Sequence, residues 1–277
     1  MDVRFWGVRG SIPVSGAEYA TGGNTPCVEI SHQGHRLILD GGSGLRQLGA
    51  AHRGAPLDAT LLFSHVHWDH IQGVPFFGPA FHPASKLRIV GAARPSGSVR
   101  DALAQQMHPP TFPITLDALR AQIAWKDVVG GQTFEDGPFK ITAIDLPHPD
   151  GVLGWRVEAD GKAVVFATDI EHGGAIWRTL VDAAQGVDLL IHDAQYTREE
   201  YDGVVGPPRR GWGHSTIEEA LEVARLADAK RLVLFHHDPS RTDAQLRDIE
   251  AASRQIRPNT AIAREGVEHS FDLEKTG

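Results

Sequence analysis

Cysteine is nearly missing from this 277-residue chain: Cys27 stands alone. No internal disulfide can form, so the fold must rest on a packed core, and with the reducing-compartment default a lone thiol gives cytoplasm as the expected location. No apolar run reaches the roughly 18 residues of a membrane-spanning helix, so no membrane partner is expected. The opening "MDVRFWGVRGSIP" lacks the basic and apolar regions of a secretory signal and alternates apolar with polar residues, which reads as a first strand. An excess of positive charge is also missing, since 27 Lys and Arg face 35 Asp and Glu for a formal charge of −8. Affinity for nucleic acid comes largely from cations neutralising phosphates, so nucleic acid is not expected as a partner and a small substrate fits better. Arg209 and Arg210 in "PPRRG" read as a solvated loop.

What is present is a rhythm of short strand-like runs, many ending at Gly, Asp or His, which points to α/β layers. "VRFWGV", "PCVEIS", "HRLILD", "ATLLFS", "KLRIVG", "FKITAID", "GWRVEA", "KAVVFATD", "DLLIHDA", "RLVLFHH" and "TAIAREG" are the expected strands. "SVRDALAQQM", "ITLDALRAQI", "STIEEALEVARLADA" and "RTDAQLRDIEAASRQI" are the expected helices; in the third, Ser215 and Glu218 match a capping box. Residues 74–122 carry seven prolines among aromatic residues and suit a rim or lid over a pocket. With no repeat, low-complexity tract or linker, one domain over 1–277 is the economical expectation.

The chemistry begins at "SHVHWDH". His65, His67, Asp69 and His70 follow an apolar run, and neutral imidazole and carboxylate are ligands for zinc, manganese or iron. Alternate positions at a strand end send His65 and His67 to the same side. One strand end cannot complete two coordination shells, and later runs end at His148, Asp169, and His236 or His237.

These residues make the whole chain resemble the metallo-β-lactamase-fold hydrolases. The resemblance implies an αββα sandwich of two mixed β-sheets flanked by helices. It places His65, His67 and His148 on one divalent metal and Asp69, His70 and His236 on a second, with Asp169 between them. Zinc is the expected metal, with manganese or iron as alternatives. Asp40 resembles the aspartate that orients a histidine ligand, and His237 and Asp238 are expected to support the ligands or line the rim. Two metals can share a water, depress its pKa and polarise a phosphoryl or acyl oxygen, which defines a hydrolase. Its diiron redox members carry a glutamate where His67 stands, and that speaks against redox work.

"DLLIHDAQYTREEY" followed by "GWGHST" resembles the paired motifs of the tRNA 3′-processing ribonucleases Z and related phosphodiesterases. It implies that Asp193 orients His214, which protonates the leaving oxygen, with Asp69 completing the catalytic group; Asp193 stands where that family has glutamate. The front of the chain, "FWGVRGSIPVSG … YATGGNTPCVEI … LILDGGSGLRQLG", resembles a phosphodiesterase-like bacterial subgroup. Gly22, Gly23 and Asn24 then form a loop near the metals, and backbone around Ser43 stabilises phosphoryl oxygens. The expected activity is hydrolysis of a small phosphodiester, a 3′,5′-cyclic nucleotide or other cyclic phosphate, with "PFFGPAF" and "PPTFP" offering an apolar site for a base. Alternatives are a thioester or lactone hydrolase, a ribonuclease Z-like nuclease, and a non-catalytic metal-bound sensor. Related phosphodiesterases also suggest a homodimer.

Overall fold

The computed structural model of the chain describes residues 1–173 and 175–270. Its apolar runs form two seven-stranded mixed sheets. The first holds β1 (Asp2–Gly7), β2 (Cys27–His32), β3 (His35–Leu39), β4 (Asp58–Leu62), β5 (Lys86–Ala92) and β6 (Gln122–Val128). The second holds β7 (Thr133–Asp136), β8 (Phe139–Leu146), β9 (Val152–Ala159), β10 (Lys162–Ala167), β11 (Leu189–Asp193), β12 (Leu232–Phe235) and β13 (Thr260–Ile262); β14 (Glu268–Ser270) returns to flank β1. Each sheet passes from an antiparallel meander into a parallel run, beginning at β3 in one and β10 in the other.

Parallel strands buried on both faces read as unbroken apolar runs, which is why "VVFA", "LLIH" and "LVLF" do not alternate. Successive side chains still point to opposite faces. In β10, Val164 and Phe166 enter the core between the sheets with Phe5, Ile30, Trp155 and Phe235, while Val165 and Ala167 pack beneath helices. Each such fully buried side chain contributes roughly 1.5–3 kcal/mol. Helices α1 (Gly44–Ala51) and α3 (Val99–Gln106) cover the outer face of the first sheet, setting Leu45, Leu48, Val99 and Leu103 on Ile38, Leu61 and Ile89. The outer face of the second is covered by α4 (Arg178–Ala183), α6 (Ile217–Leu226) and α7 (Asp243–Ile256) through Leu180, Ala220, Leu221 and Leu246. The result is the αββα sandwich that the resemblance implies. Two short helices, α2 (Trp68–Ile71) and α5 (Arg198–Asp202), stand at strand-end loops.

Two expectations are corrected here. The segment "ITLDALRAQI" keeps only a 3-10 turn at Leu116–Ala118 and then becomes β6, because pairing with β5 along Lys86–Ala92 outweighs its helical periodicity. The capping box of α6 lies one residue later than expected, at Thr216 and Glu219. Ser215 is occupied elsewhere, donating its hydroxyl to the Ile170 carbonyl at 2.5 Å. Among the described residues no helix is long and apolar enough to cross a membrane.

Candidate metal centre

The parallel strands end at one edge of the sandwich, and the loops leaving them carry the histidines and aspartates. Sharp exits are needed there, and four non-glycine residues take them with positive φ: Ser11 (63°), Asp40 (62°), Asp169 (52°) and His236 (60°). Such backbone costs of order 1–3 kcal/mol per residue and gathers at functional sites. Gly10 passes so close that a Cβ would stand 2.5 Å from His236 Cε1 and 2.6 Å from Gln195 Oε1, so only glycine fits.

Ligand atoms of Asp169, Asp193, His214 and His236 lie within 4.8 Å of one another, and so do those of two further groups: His65, His67, His148 and Asp169, and Asp69, His70 and His236. Asp169 faces both, with Oδ2 3.6 Å from His65 Nε2 and Oδ1 3.3 and 3.2 Å from His70 and His236 Nε2. Burial by itself would raise the Asp69 and Asp169 carboxyls, but the facing imidazoles of His70 and His236 outweigh it and hold both well below the ordinary range. Burial first, then neighbouring imidazoles, lowers His65 and His148, favouring the neutral form that ligates.

The residues fit a pair of divalent cations by a direct observation. Nε2 of His65 and Nε2 of His70 are buried with no hydrogen-bond partner, a state that costs about 1–3 kcal/mol per group unless something satisfies it. The opposite nitrogens are tied. His70 Nδ1 donates to Asp40 Oδ2 at 2.8 Å, His236 Nδ1 to Gln195 Oε1 at 2.8 Å, His148 Nδ1 to the Gly213 carbonyl at 3.0 Å and His67 Nε2 to Asp150 Oδ2 at 2.9 Å. A bond at one ring nitrogen fixes the tautomer and turns the other lone pair inward. Asp40 is itself held by the Ser64 N–H and hydroxyl.

His214 and Asp193 come together at the edge of these groups. The ring donates Nδ1–H to Asp193 Oδ2 at 2.8 Å, while Asp193 Oδ1 accepts the N–H of Gln195 at 3.0 Å and of Ser215 at 3.3 Å. Burial works against charge on the ring, but Asp193, by charge and hydrogen bond, and then Asp169 and Asp69 push its pKa up to about 9. The loop carrying His214 is anchored by Glu171, which accepts Tyr201 O–H at 2.6 Å, Gly211 N–H at 2.7 Å and Gly213 N–H at 2.8 Å. Gly213 has φ of 88°, and a Cβ there would lie 2.2 Å from His148 Cε1. The backbone that presents His214 therefore also orients His148.

Sequence reasoning missed Gln195, Asp150, Glu171 and Gly213. Gln195, Asp150 and Glu171 each sit two positions after a predicted site residue (Asp193, His148 and Asp169), and Gly213 directly precedes His214. His237 belongs to neither ligand group; it donates Nε2–H to the Ala263 carbonyl at 3.1 Å, burial lowers its pKa to about 3, and it pins the end of β12 rather than touching a ligand atom. Asp238 accepts from Ser240 in a local turn. Backbone around Ser43 is not free to hold an oxyanion: Ser43 N–H donates to Thr25 Oγ1, Gly42 N–H to the Pro26 carbonyl and Gly41 N–H to the His70 carbonyl. Asn24 accepts from the Ser43 hydroxyl.

Residues 35–237 match the family described as the beta-lactamase superfamily domain. Among curated proteins the chain is similar to ribonuclease Z of Gemmatimonas aurantiaca, 25% identical over 89% of this chain and 90% of that one. Ribonuclease Z of Haloarcula marismortui is 21% identical over 99% and 97%. Among solved structures it is similar to the metallo-beta-lactamase fold protein YhfI from Bacillus subtilis, with a TM-score of 0.72, 20% identity and coverage of 97% of this chain and 99% of that one. Human tRNase Z, short form, gives 0.70 and 21% over 99% and 100%. The curated relatives overturn the expectation that nucleic acid is not a partner, since proteins of matching length are named ribonucleases. The reasoning failed because a formal charge of −8 is a sum over the chain and does not say where arginines stand.

Proposed function

The chain belongs to the beta-lactamase superfamily, as a metal-dependent hydrolase of that fold, and from that premise we propose that it is a ribonuclease Z-like phosphodiesterase acting on RNA with a single-stranded 3′ end. This replaces the cyclic-nucleotide expectation, because the full-length curated relatives support a nuclease better. The observation that carries the reading is the His214–Asp193 pair beside the ligand groups.

We assign one divalent cation to His65, His67 and His148 and a second to Asp69, His70 and His236, with Asp169 facing both; zinc suits this donor set, and manganese or iron fit it as well. When bound, such cations supply Lewis-acid stabilisation of phosphoryl oxygens and water of lowered pKa. The protein's own contribution is proton delivery. RNA cleavage expels a ribose alkoxide, a poor leaving group, and His214 donates a proton to that oxygen from Nε2 while Nδ1 stays bonded to Asp193. Asp193 cannot turn away, since Gln195 and Ser215 hold its other oxygen. A β-lactam or thioester has less need of such a donor, which is why the pair favours phosphodiester work.

The test is competition between substrate classes. Metal-loaded protein is given a hairpin RNA with a single-stranded 3′ tail, a 3′,5′-cyclic nucleotide, and a thioester. Cleavage of the RNA with the highest kcat/KM is expected; faster turnover of the cyclic nucleotide, or thioester cleavage without phosphodiesterase activity, would sink the reading.

A further inference from the structure

A cavity of about 190 Å³ opens beside His65 and His67. Its floor is apolar, made by Val66, Ala92 and Val99, and one wall is the guanidinium of Arg94. Arg94 sits in a tight turn closed by paired backbone hydrogen bonds with Gly97. Its side chain lies against Gly151, where a Cβ would come within 3.0 Å of Arg94 Cζ. Arg94 Nε and Nη2 are buried and make no hydrogen bond; the nearest carboxylate oxygen, Asp145 Oδ1, is 3.6 Å from Nη2. A guanidinium beside apolar side chains suits a flat ligand that stacks on its plane.

The cavity shares Val66, Ser96 and Gly97 with a neighbouring one of about 420 Å³, bordered by Trp68 and Gln106. Trp68 is 60% exposed although its neighbours Asp69 and His70 are buried. Gln106 Oε1 is buried there without a partner. Exposed aromatic faces next to a cationic group are how proteins hold unpaired bases.

We propose that these two cavities form a nucleotide track: the one at Arg94 takes a nucleobase next to the scissile phosphodiester, and Trp68 stacks the next base of a single-stranded RNA segment. The inference rests on the nuclease reading for its substrate and on the cavities for its placement. A cavity of about 190 Å³ is smaller than the roughly 300–1,000 Å³ of drug-sized sites, which matches a single base. An apolar floor argues for a base rather than a bare phosphate. His65 and His67 line the same cavity, which places such a base beside the ligand groups.

The experiment uses metal-loaded protein and its Arg94→Ala and Trp68→Ala variants, with bound metal quantified in each. The readout is kcat/KM on the tailed RNA divided by kcat/KM on bis(p-nitrophenyl) phosphate, which carries no base. Each substitution should lower that ratio about tenfold or more, the scale of one lost stacking or base contact, with metal content equal to the parent. A ratio unchanged in both variants overturns the track, since each side chain would then matter equally for a substrate without bases. A second arm separates this failure from that of the nuclease reading. If the parent cleaves bis(p-nitrophenyl) phosphate but no RNA, inhibition of that reaction by a nucleoside 5′-monophosphate is compared with inhibition by inorganic phosphate. Stronger inhibition by the nucleotide, abolished in Arg94→Ala, retains the base site; equal inhibition in the parent removes it.

Discussion

Replacing His214 by alanine should have consequences that depend on the leaving group. The imidazole is aligned by one hydrogen bond, Nδ1–H to Asp193 at 2.8 Å, and its partner carboxylate is fully buried and held by two backbone N–H groups. A positioned general acid contributes roughly 10²–10⁴ in rate, which is about 2.7–5.4 kcal/mol of transition-state stabilisation at about 1.36 kcal/mol per decade. That full loss is expected in kcat/KM for RNA, whose departing ribose oxygen needs a proton. On bis(p-nitrophenyl) phosphate the departing phenolate carries its own charge, so less than about one decade should be lost. Asp193→Asn should follow the same pattern with a smaller effect, because the ring remains but loses the charge that holds its proton. The assay is steady-state kinetics on both substrates with bound metal quantified. Equal losses on the two substrates would refute proton donation and leave His214 a structural residue.

Four further outcomes are expected. His172 and His192 are stacked and buried with Nε2 atoms 3.3 Å apart; burial is the leading cause that lowers both rings to about 4. Their contribution to stability is complete above the unfolded value of 6.5 and fades as pH falls towards 4, the loss reaching about 2 kcal/mol at pH 5 for one ring. Urea midpoints at pH 8 and 5 should therefore differ less in His192→Gln than in the parent, and an identical pH dependence would exclude the pair. Glu171→Ala removes the acceptor of three hydrogen bonds, so a loss of about 2–4 kcal/mol in urea unfolding is expected, with weaker metal retention because Gly213 no longer holds His148; unaltered metal affinity would contradict the coupling. Chelation should lower the melting temperature, since ligand atoms on both sheets lose what satisfies them, and Asp40→Asn should weaken metal binding about 10–100-fold by equilibrium dialysis; a chelated protein melting with the loaded one would refute this.

Much of the layer order was legible because strand ends and apolar runs are local signals. "SHVHWDH" held four residues of the ligand groups within seven positions, and His148, Asp169 and His236 each follow an apolar run. What stayed hidden depends on distant contacts. Ser215…Glu218 and Thr216…Glu219 fit the same capping pattern, and only the Ile170 carbonyl, 45 positions away, decides between them. Residues 114–123 have helical spacing, yet an unpaired edge at β5 captures their end as a strand. Helix α1 was missed because Gly44 and Gly49 weaken its propensity while Leu45 and Leu48 secure it by burial. Glu171 gave no sign beyond its place two positions after Asp169, since its role exists only once the loop through Gly211 and Gly213 folds over it.

The topology carries a consequence for how the centre comes into being. Asp69 leaves the first sheet and His236 the second, 167 positions along the chain, yet their side chains stand 3.3 Å apart. Neither sheet alone owns a complete set of donors, so a nascent chain that has made only its first half has no site to fill. Contacts this remote in sequence form late and slowly, after the entropy of closing a long loop has been overcome. Cations that bind only the assembled pair act as a staple across the seam and draw the folding equilibrium towards the finished sandwich. The donors of the two sheets meet only once both halves are in place, so the centre is assembled at the step that locks the halves together.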